Sequence, residues 1–341
     1  MRSSRAFTIT LLLAAGLGAC RGVTDAGSDR PVVSSSCTSA VPGCLERVNL
    51  GAGRRLPVYR THALATGDAS VNRAVIVVHG IDRDADAYFN TMVQALRTAA
   101  VLDSVIVVAP HFQTLDDGPL ADEPTWSSEG WKQGDLSAAE SPLARISSFA
   151  AVDTLVRIFA DRSRFPRLKS IVITGHSAGG QFTHRYAGTS PGVEGLSGLL
   201  IRFVVANPST YLWLRGERPT ASSFALPDTA ACRDWNDWPY GLSNRNTYAK
   251  AADDATIRSR LTSRDVRILL GSADTLTSNL DMSCGGNLQG SRRYDRGNAL
   301  VRFMGQYFPG NGHAQAVAPG IGHSSSGMYG SAAGQAALTS W

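Results

Sequence analysis

Ile173-Thr174-Gly175-His176-Ser177-Ala178-Gly179-Gly180-Gln181-Phe182 is the most informative segment of this chain. It continues Lys169-Ser170-Ile171-Val172-Ile173-Thr174, a β-branched run typical of a strand buried on both faces. A helical pattern starts after it. A serine with glycine two residues away on each side, set between strand and helix, is a G-x-S-x-G turn in its expected context. Such a turn is tight, so the residues two away must be small, and Gly175 and Gly179 meet that need. The Ser177 hydroxyl then projects above the sheet, beside a helix N-terminus that favours developing negative charge.

Outward from this segment, strands and helices alternate. Continuous apolar runs predict strands over 73–78, 104–109, 201–206 and 266–270, and a last strand near 314–318. Residues 46–62 predict an edge hairpin. Helical spacing predicts helices over 86–100, 145–161 and 293–307. This is the α/β class, with a mostly parallel central sheet and helices on both faces. Two insertions interrupt the alternation, at 111–142 and 207–262. Loops of that length are usually functional. Both leave C-terminal strand ends, where ligands bind in open α/β sheets.

Composition narrows the function classes. The chain has 341 residues, 43% hydrophobic and 18% charged, which excludes a disordered polymer. Net charge is +5, and no cluster of five Lys/Arg residues suggests nucleic acid as a partner. The pairs Arg54-Arg55 and Arg292-Arg293 read as solvated surface. There is no Walker A, dinucleotide fingerprint or HExxH motif. Asp82-Arg83-Asp84-Ala85-Asp86 imitates the start of a calcium loop, but Ala87 and Val93 occupy the positions that need Gly and Glu. Neither a cofactor nor a metal is expected.

The N-terminus bears on compartment. Arg2 and Arg5 precede a short apolar run, too short to span a membrane and suited to a secretory signal. Leu17-Gly18-Ala19-Cys20 resembles the bacterial lipobox, which implies a signal peptide over 1–19 and acylation of Cys20. Two acyl chains give stable membrane anchoring. Residues 20–45 read as a flexible tether, and 46–341 as the folded domain. The expected location is the cell envelope. Arg21, rather than Asp, after the cysteine resembles sorting to the outer membrane. Export permits disulfides. Cys37, Cys44, Cys232 and Cys284 allow three pairings, of which Cys37–Cys44 with Cys232–Cys284 is expected.

The elbow in its strand–helix setting resembles the α/β-hydrolase superfamily, in its serine esterase and lipase-like members, across most of 46–341. The resemblance implies the chain order Ser, acid, His. Gly271-Ser272-Ala273-Asp274-Thr275 places a carboxylate just past a strand, and Pro319-Gly320-Ile321-Gly322-His323 places a histidine after the last one. Ser177 is then the nucleophile, His323 the base and acid, and Asp274 the orienting carboxylate. Asp281 is the rival acid. His176 reads as a packing residue, and His111 as a candidate pocket residue. Val77-Val78-His79-Gly80-Ile81-Asp82 resembles the segment that supplies part of the oxyanion hole, which implies donors at Ile81 and Ala178. The His-Gly-Gly-Gly form is lacking.

Residues 207–262 lie where this fold carries its cap. Trp126 and Trp131 in the first insertion, and Trp235 and Trp238 in the second, are the expected substrate contacts. The alternative is that they pack the insertions' own cores. The expected activity is cleavage of a small-molecule or oligomeric carboxylic ester through an acyl-enzyme. A serine amidase or peptidase and a non-catalytic binding lipoprotein are the alternatives.

Overall fold

The computed structural model describes residues 37–139 and 143–340. The expected signal peptide and Cys20 lie outside the described residues. The chain opens with a hairpin, β1 (Leu45–Gly51) and β2 (Arg54–Arg60). Then come β3 (Arg73–Val78), α1 (Ala85–Thr98), β4 (Val105–Pro110), α2 (Ser148–Ala160), β5 (Ser170–His176), α3 (Ala178–Thr189) and β6 (Leu200–Ala206). A small hairpin, β7 (Arg218–Pro219) with β8 (Phe224–Ala225), precedes α4 (Asp254–Ser263) and β9 (Asp265–Gly271). The chain ends with α5 (Cys284–Asn287), α6 (Arg293–Tyr307), β10 (His313–Ala318), α7 (Ser325–Gly330) and α8 (Ala332–Thr339).

Eight strands form the main sheet in the order β1-β2-β4-β3-β5-β6-β9-β10. From β4 to β10 every neighbouring pair is parallel, and the hairpin adds antiparallel strands at one edge. The continuous apolar runs are explained by two cores, one per face. On β3, Ala74, Ile76 and Val78 enter one core with Phe149 and Leu155 of α2, Phe182 and Tyr186 of α3, and Leu300 and Phe303 of α6. Val75 and Val77 enter the other with Phe89 and Leu96 of α1, Tyr329 of α7 and Leu338 of α8. The α/β expectation is met, and the strands and long helices fall close to their expected positions.

Three boundaries differ. Residues 37–45 are held against the sheet and so do not belong to the expected flexible tether. The Cys37 N–H donates to the Thr61 carbonyl at 2.8 Å, and Cys37 is bonded to Cys44. The expected helix over 145–161 starts at Ser148, because Ser147 pairs with Leu136 and its hydroxyl caps the helix at the Phe149 N–H. The 207–262 segment is not a separate cap layer. Tyr211, Leu212, Trp213, Leu214, Ile257 and Leu261 belong to the main core, and α4 is the crossover helix from β6 to β9. The second disulfide, Cys232–Cys284, ties this segment to the start of α5, with Cα atoms 5.8 Å apart.

Candidate active site

β3 and β4 run to one side of the sheet and β5 and β6 to the other, so the chain reverses strand order beside β3. Ligands bind at such a switch point, outside the carboxyl ends of strands. Ser177 sits there, between β5 and α3, with φ 58° and ψ −118°. A positive φ on a non-glycine residue is strained, and the surroundings must hold it. They do so by close approach. A Cβ on Gly175 would lie 2.3 Å from Gly179, and one on Gly179 would lie 2.2 Å from the Val78 carbonyl oxygen. The Ser177 N–H donates to the Ala206 carbonyl at 3.0 Å.

The elbow brings three side chains into line. Ser177 Oγ is 3.0 Å from His323 Nε2, and His323 Nδ1 is 2.7 Å from Asp274 Oδ2. A carboxylate only accepts, so the proton resides on Nδ1 and Nε2 accepts from the serine. Asp274 follows β9, His323 follows β10, and these strands are parallel neighbours, which explains how residues so far apart in sequence meet. Asp274 is fully buried, whereas the imidazole keeps about a fifth of its surface exposed, 22%. The rival Asp281 is engaged elsewhere and accepts from Tyr240 Oη at 2.8 Å and from the Ser283 N–H at 2.9 Å.

Two supporting residues escaped the sequence. Arg293 was expected on the surface with Arg292, yet it is fully buried, with Nη1 3.7 Å from Asp274 Oδ1. It also donates to the Leu276 and Ser278 carbonyls at 3.1 and 2.8 Å, fixing the loop that carries Asp274. The N-terminal residue of α6 faces inward because the next turns, through Arg296 and Leu300, are also buried. His176 is buried as expected, but it packs against the reacting groups, its ring centroid 4.5 Å from that of His323. Its Nδ1 lies 3.1 Å from Tyr88 Oη. Burial, reinforced by His323 and Arg293, holds His176 well below the usual imidazole range.

The loop after β3 carries Ile81. The Ile81 carbonyl accepts from Arg83, which pairs with Asp117 at 2.6 Å, so the first insertion braces this loop. Behind it, His79 Nε2 accepts from the Phe112 N–H at 3.0 Å and Nδ1 donates to the Gly80 carbonyl at 2.9 Å, which sets the neutral tautomer. Burial drives the His79 pKa down to about 3. Ala178 is the first residue of α3, so its N–H has no carbonyl one turn back in the helix. Ile81 lines the same cleft as Ser177, and Ala178 follows it in the chain.

The four tryptophans do not line the Ser177 cleft. Trp131 is fully buried, stacked on Phe112 with centroids 6.0 Å apart and packed on His79 at 4.5 Å. Trp126 sets its edge against Phe112 and donates to the Ile146 carbonyl at 3.2 Å. Trp238 donates to the Gln133 carbonyl at 3.1 Å. Trp235 lies under the Arg218 guanidinium, 4.9 Å from its ring centroid. Large apolar rings gain more from core packing than from a solvent-filled cleft. His111 packs edge-on to His79 and is likewise absent from the cleft wall.

A cavity opens at Ser177, and a second adjoins it. One, of about 290 Å³, is lined by Gly80, Ile81, Tyr88, His176, Ser177 and His323 among others. The second, of about 440 Å³, meets the first at Ile81 and Asn279 and runs past Lys132, Gln181, Tyr240 and Asp281.

No protein-family model and no curated protein matches the chain. Solved structures do resemble it. Poly(aspartic acid) hydrolase-1 from Sphingomonas sp. KT-1 is 23% identical, with 83% of this chain and 94% of that chain covered and a TM-score of 0.58. LpqC, a poly(3-hydroxybutyrate) depolymerase from Bordetella parapertussis, is 22% identical, with 84% and 87% covered and a TM-score of 0.58. At such identities the likeness speaks to the fold. With the sheet order, the strained serine elbow and the Ser-acid-His chain order, it identifies this chain as having the α/β-hydrolase fold.

Proposed function

We propose that the protein is a serine hydrolase that cleaves carboxylic esters through an acyl-enzyme on Ser177. One observation carries this reading, the continuous line of hydrogen bonds from Ser177 Oγ through His323 to buried Asp274, at 3.0 and 2.7 Å. Ser177 Oγ attacks the ester carbonyl as its proton passes to His323 Nε2. The tetrahedral oxyanion forms beside the N–H groups of Ile81 and Ala178. Loss of one such donor typically lowers the rate by about 10²–10³. The imidazolium, held by Asp274, gives its proton to the departing alkoxide, and the alcohol leaves. Water, deprotonated by His323, then attacks the acyl-enzyme and releases the acid. The names of the two structural neighbours, a hydrolase and a depolymerase, agree with hydrolysis.

The reading includes export and attachment to the cell envelope through acylated Cys20. Its supports are the lipobox-like sequence and the two disulfides, which belong to oxidising compartments. Incorporation of labelled palmitate, lost in Cys20→Ala, tests the anchor. For the chemistry, matched ester and amide substrates are assayed with wild-type protein and Ser177→Ala. The expected result is ester turnover that vanishes in the folded variant. Faster turnover of the amide would shift the reading to an amidase. Undiminished ester turnover in Ser177→Ala would remove the serine mechanism.

A further inference from the structure

The second cavity has a chemistry of its own. Of the ten residues that line it, only Ile81 and Leu280 are apolar; the others are Glu129, Lys132, Gln181, Ser209, Tyr240, Asn279, Asp281 and Ser283. This space adjoins the cleft that holds the nucleophile, sharing Ile81 and Asn279 with it.

The tetrahedral geometry of the reaction assigns the two cavities. The reacting carbon carries four groups. One is Ser177 Oγ. The oxyanion faces the N–H groups of Ile81 and Ala178. The leaving oxygen must be within reach of His323 Nε2, so the alcohol occupies the cavity that His323 lines. The acyl chain takes the remaining direction. The second cavity begins at Ile81 and has no wall from His323, so it receives the acyl chain.

Its floor offers hydrogen-bond donors. Gln181 is nearly buried, at 4% exposure, and its side-chain oxygen is taken twice, by Arg185 at 3.1 Å and Thr210 at 2.9 Å. Arg185 has only donors, so the atom it meets must be the amide oxygen. The Gln181 NH₂ is therefore left for the cavity, and no protein acceptor meets it among the described residues. Lys132 Nζ contacts both oxygens of one carboxylate, Glu129, at 2.9 and 2.8 Å. An ammonium has three protons, so this leaves one over. Ser209 Oγ accepts from the Asp281 N–H at 2.6 Å, which keeps its own proton available.

Formal charge in the cavity sums to −1: Glu129 offsets Lys132, and the remaining carboxylate, Asp281, already accepts hydrogen bonds from Tyr240 and Ser283. An anionic acyl chain would meet two carboxylates, and a cationic one would meet the ammonium. A plain alkyl chain would strip water from the Gln181 and Lys132 donors and return nothing, which is costly for buried polar groups. We infer that this cavity is an acyl subsite selecting a short, uncharged acyl group that carries an acceptor oxygen beyond the scissile carbonyl, such as an ether, a hydroxyl or a second carbonyl. This inference rests on the ester-hydrolase reading of Ser177.

The test uses aryl esters with one leaving group and two isosteric acyl chains, methoxyacetyl and butyryl. Hexanoyl, octanoyl and monosuccinyl esters extend the series. Each kcat/KM is divided by the hydroxide-catalysed rate to remove intrinsic reactivity. Methoxyacetate is expected to exceed butyrate by about tenfold, the scale of one well-made hydrogen bond. Hexanoate, octanoate and monosuccinate are expected below butyrate. Lys132→Met and Gln181→Met should each bring the methoxyacetate-to-butyrate ratio towards one. The two variants guard against a folding defect in either. Fluorophosphonate labelling of wild-type Ser177 runs alongside. Labelled protein with a ratio of one or less, or a ratio that neither variant moves, overturns the subsite alone. Protein that is neither labelled nor active on any ester overturns the hydrolase reading and the subsite with it.

Discussion

Arg293→Met is the most informative single substitution behind the candidate triad. Arg293 and Asp274 are both fully buried, with Nη1 3.7 Å from Oδ1. At an effective dielectric constant of about 20, that separation corresponds to roughly 4.5 kcal/mol of attraction. Removing one partner of a buried pair leaves the other unpaired and typically costs about 3–5 kcal/mol. The Leu276 and Ser278 carbonyls would lose their donors as well. For a chain of this size, a loss of about 4 kcal/mol corresponds to a fall of roughly 6 °C in Tm. The assay is thermal and urea unfolding of wild-type protein, Arg293→Met, Asp274→Asn and the double variant. The carbonyl contacts cancel in this cycle, so it isolates the ion pair. A coupling of about 2 kcal/mol or more is expected, with the double variant far less destabilised than the two singles summed. Coupling near zero would show that Arg293 only fills space.

Other outcomes follow from the same geometry. Asp274→Asn should lower kcat by about 10⁴, through the wrong imidazole tautomer, while Asp281→Asn, whose partners are Tyr240 and Ser283 and not His323, should cost far less; activity assays on both separate the two carboxylates. Gly179→Ala should prevent the elbow from closing, because the new Cβ would sit 2.2 Å from the Val78 carbonyl oxygen; loss of both folding yield and nucleophile labelling is expected. His79, with a pKa pushed to about 3 by burial, stays neutral in the folded state while the unfolded chain binds a proton below about 6.5. The folded state therefore loses stability as pH falls, with full stability above about 6.5 and a slope of about 1.4 kcal/mol per pH unit from this group below it. Urea unfolding between pH 7 and 4 measures the slope, and a flat profile would contradict it.

The sequence showed most of the sheet because its parallel strands are covered on both faces. Such strands appear as unbroken β-branched runs, as in Ile171–Ile173 and Val105–Val108, and need no partner information to be recognised. The triad was legible for a related reason. Its members sit just past strand ends, whereas Asp281 lies deeper in the loop after the strand, so Asp274 could be preferred before any distance was known. The tryptophans illustrate the opposite case. Nothing in Trp126-Ser127-Ser128-Glu129-Gly130-Trp131 tells which side of an insertion faces the core. Here the rings go inward onto Phe112, and the cleft takes Lys132 and Glu129 from the same segment. Arg293 was misread because a pair of arginines at a helix start looks solvated. Its burial depends on a carboxylate 19 positions earlier, a long-range pairing that local pattern does not encode. The short helices α7 and α8 were missed because their Gly, Ser and Ala residues give little apolar period. Their starts rest on the hydroxyls of Ser324 and Ser331, which cap Gly327 and Gly334.

The decisive measurement is covalent labelling of the folded domain with a fluorophosphonate, with the adduct located by mass spectrometry. A phosphonyl group on Ser177, absent in His323→Ala, is the expected result, since the reaction needs both an activated hydroxyl and donors for the developing oxyanion. Folded protein that stays unlabelled, or an adduct on a different serine, would contradict the assignment of Ser177, His323 and Asp274 as a working triad.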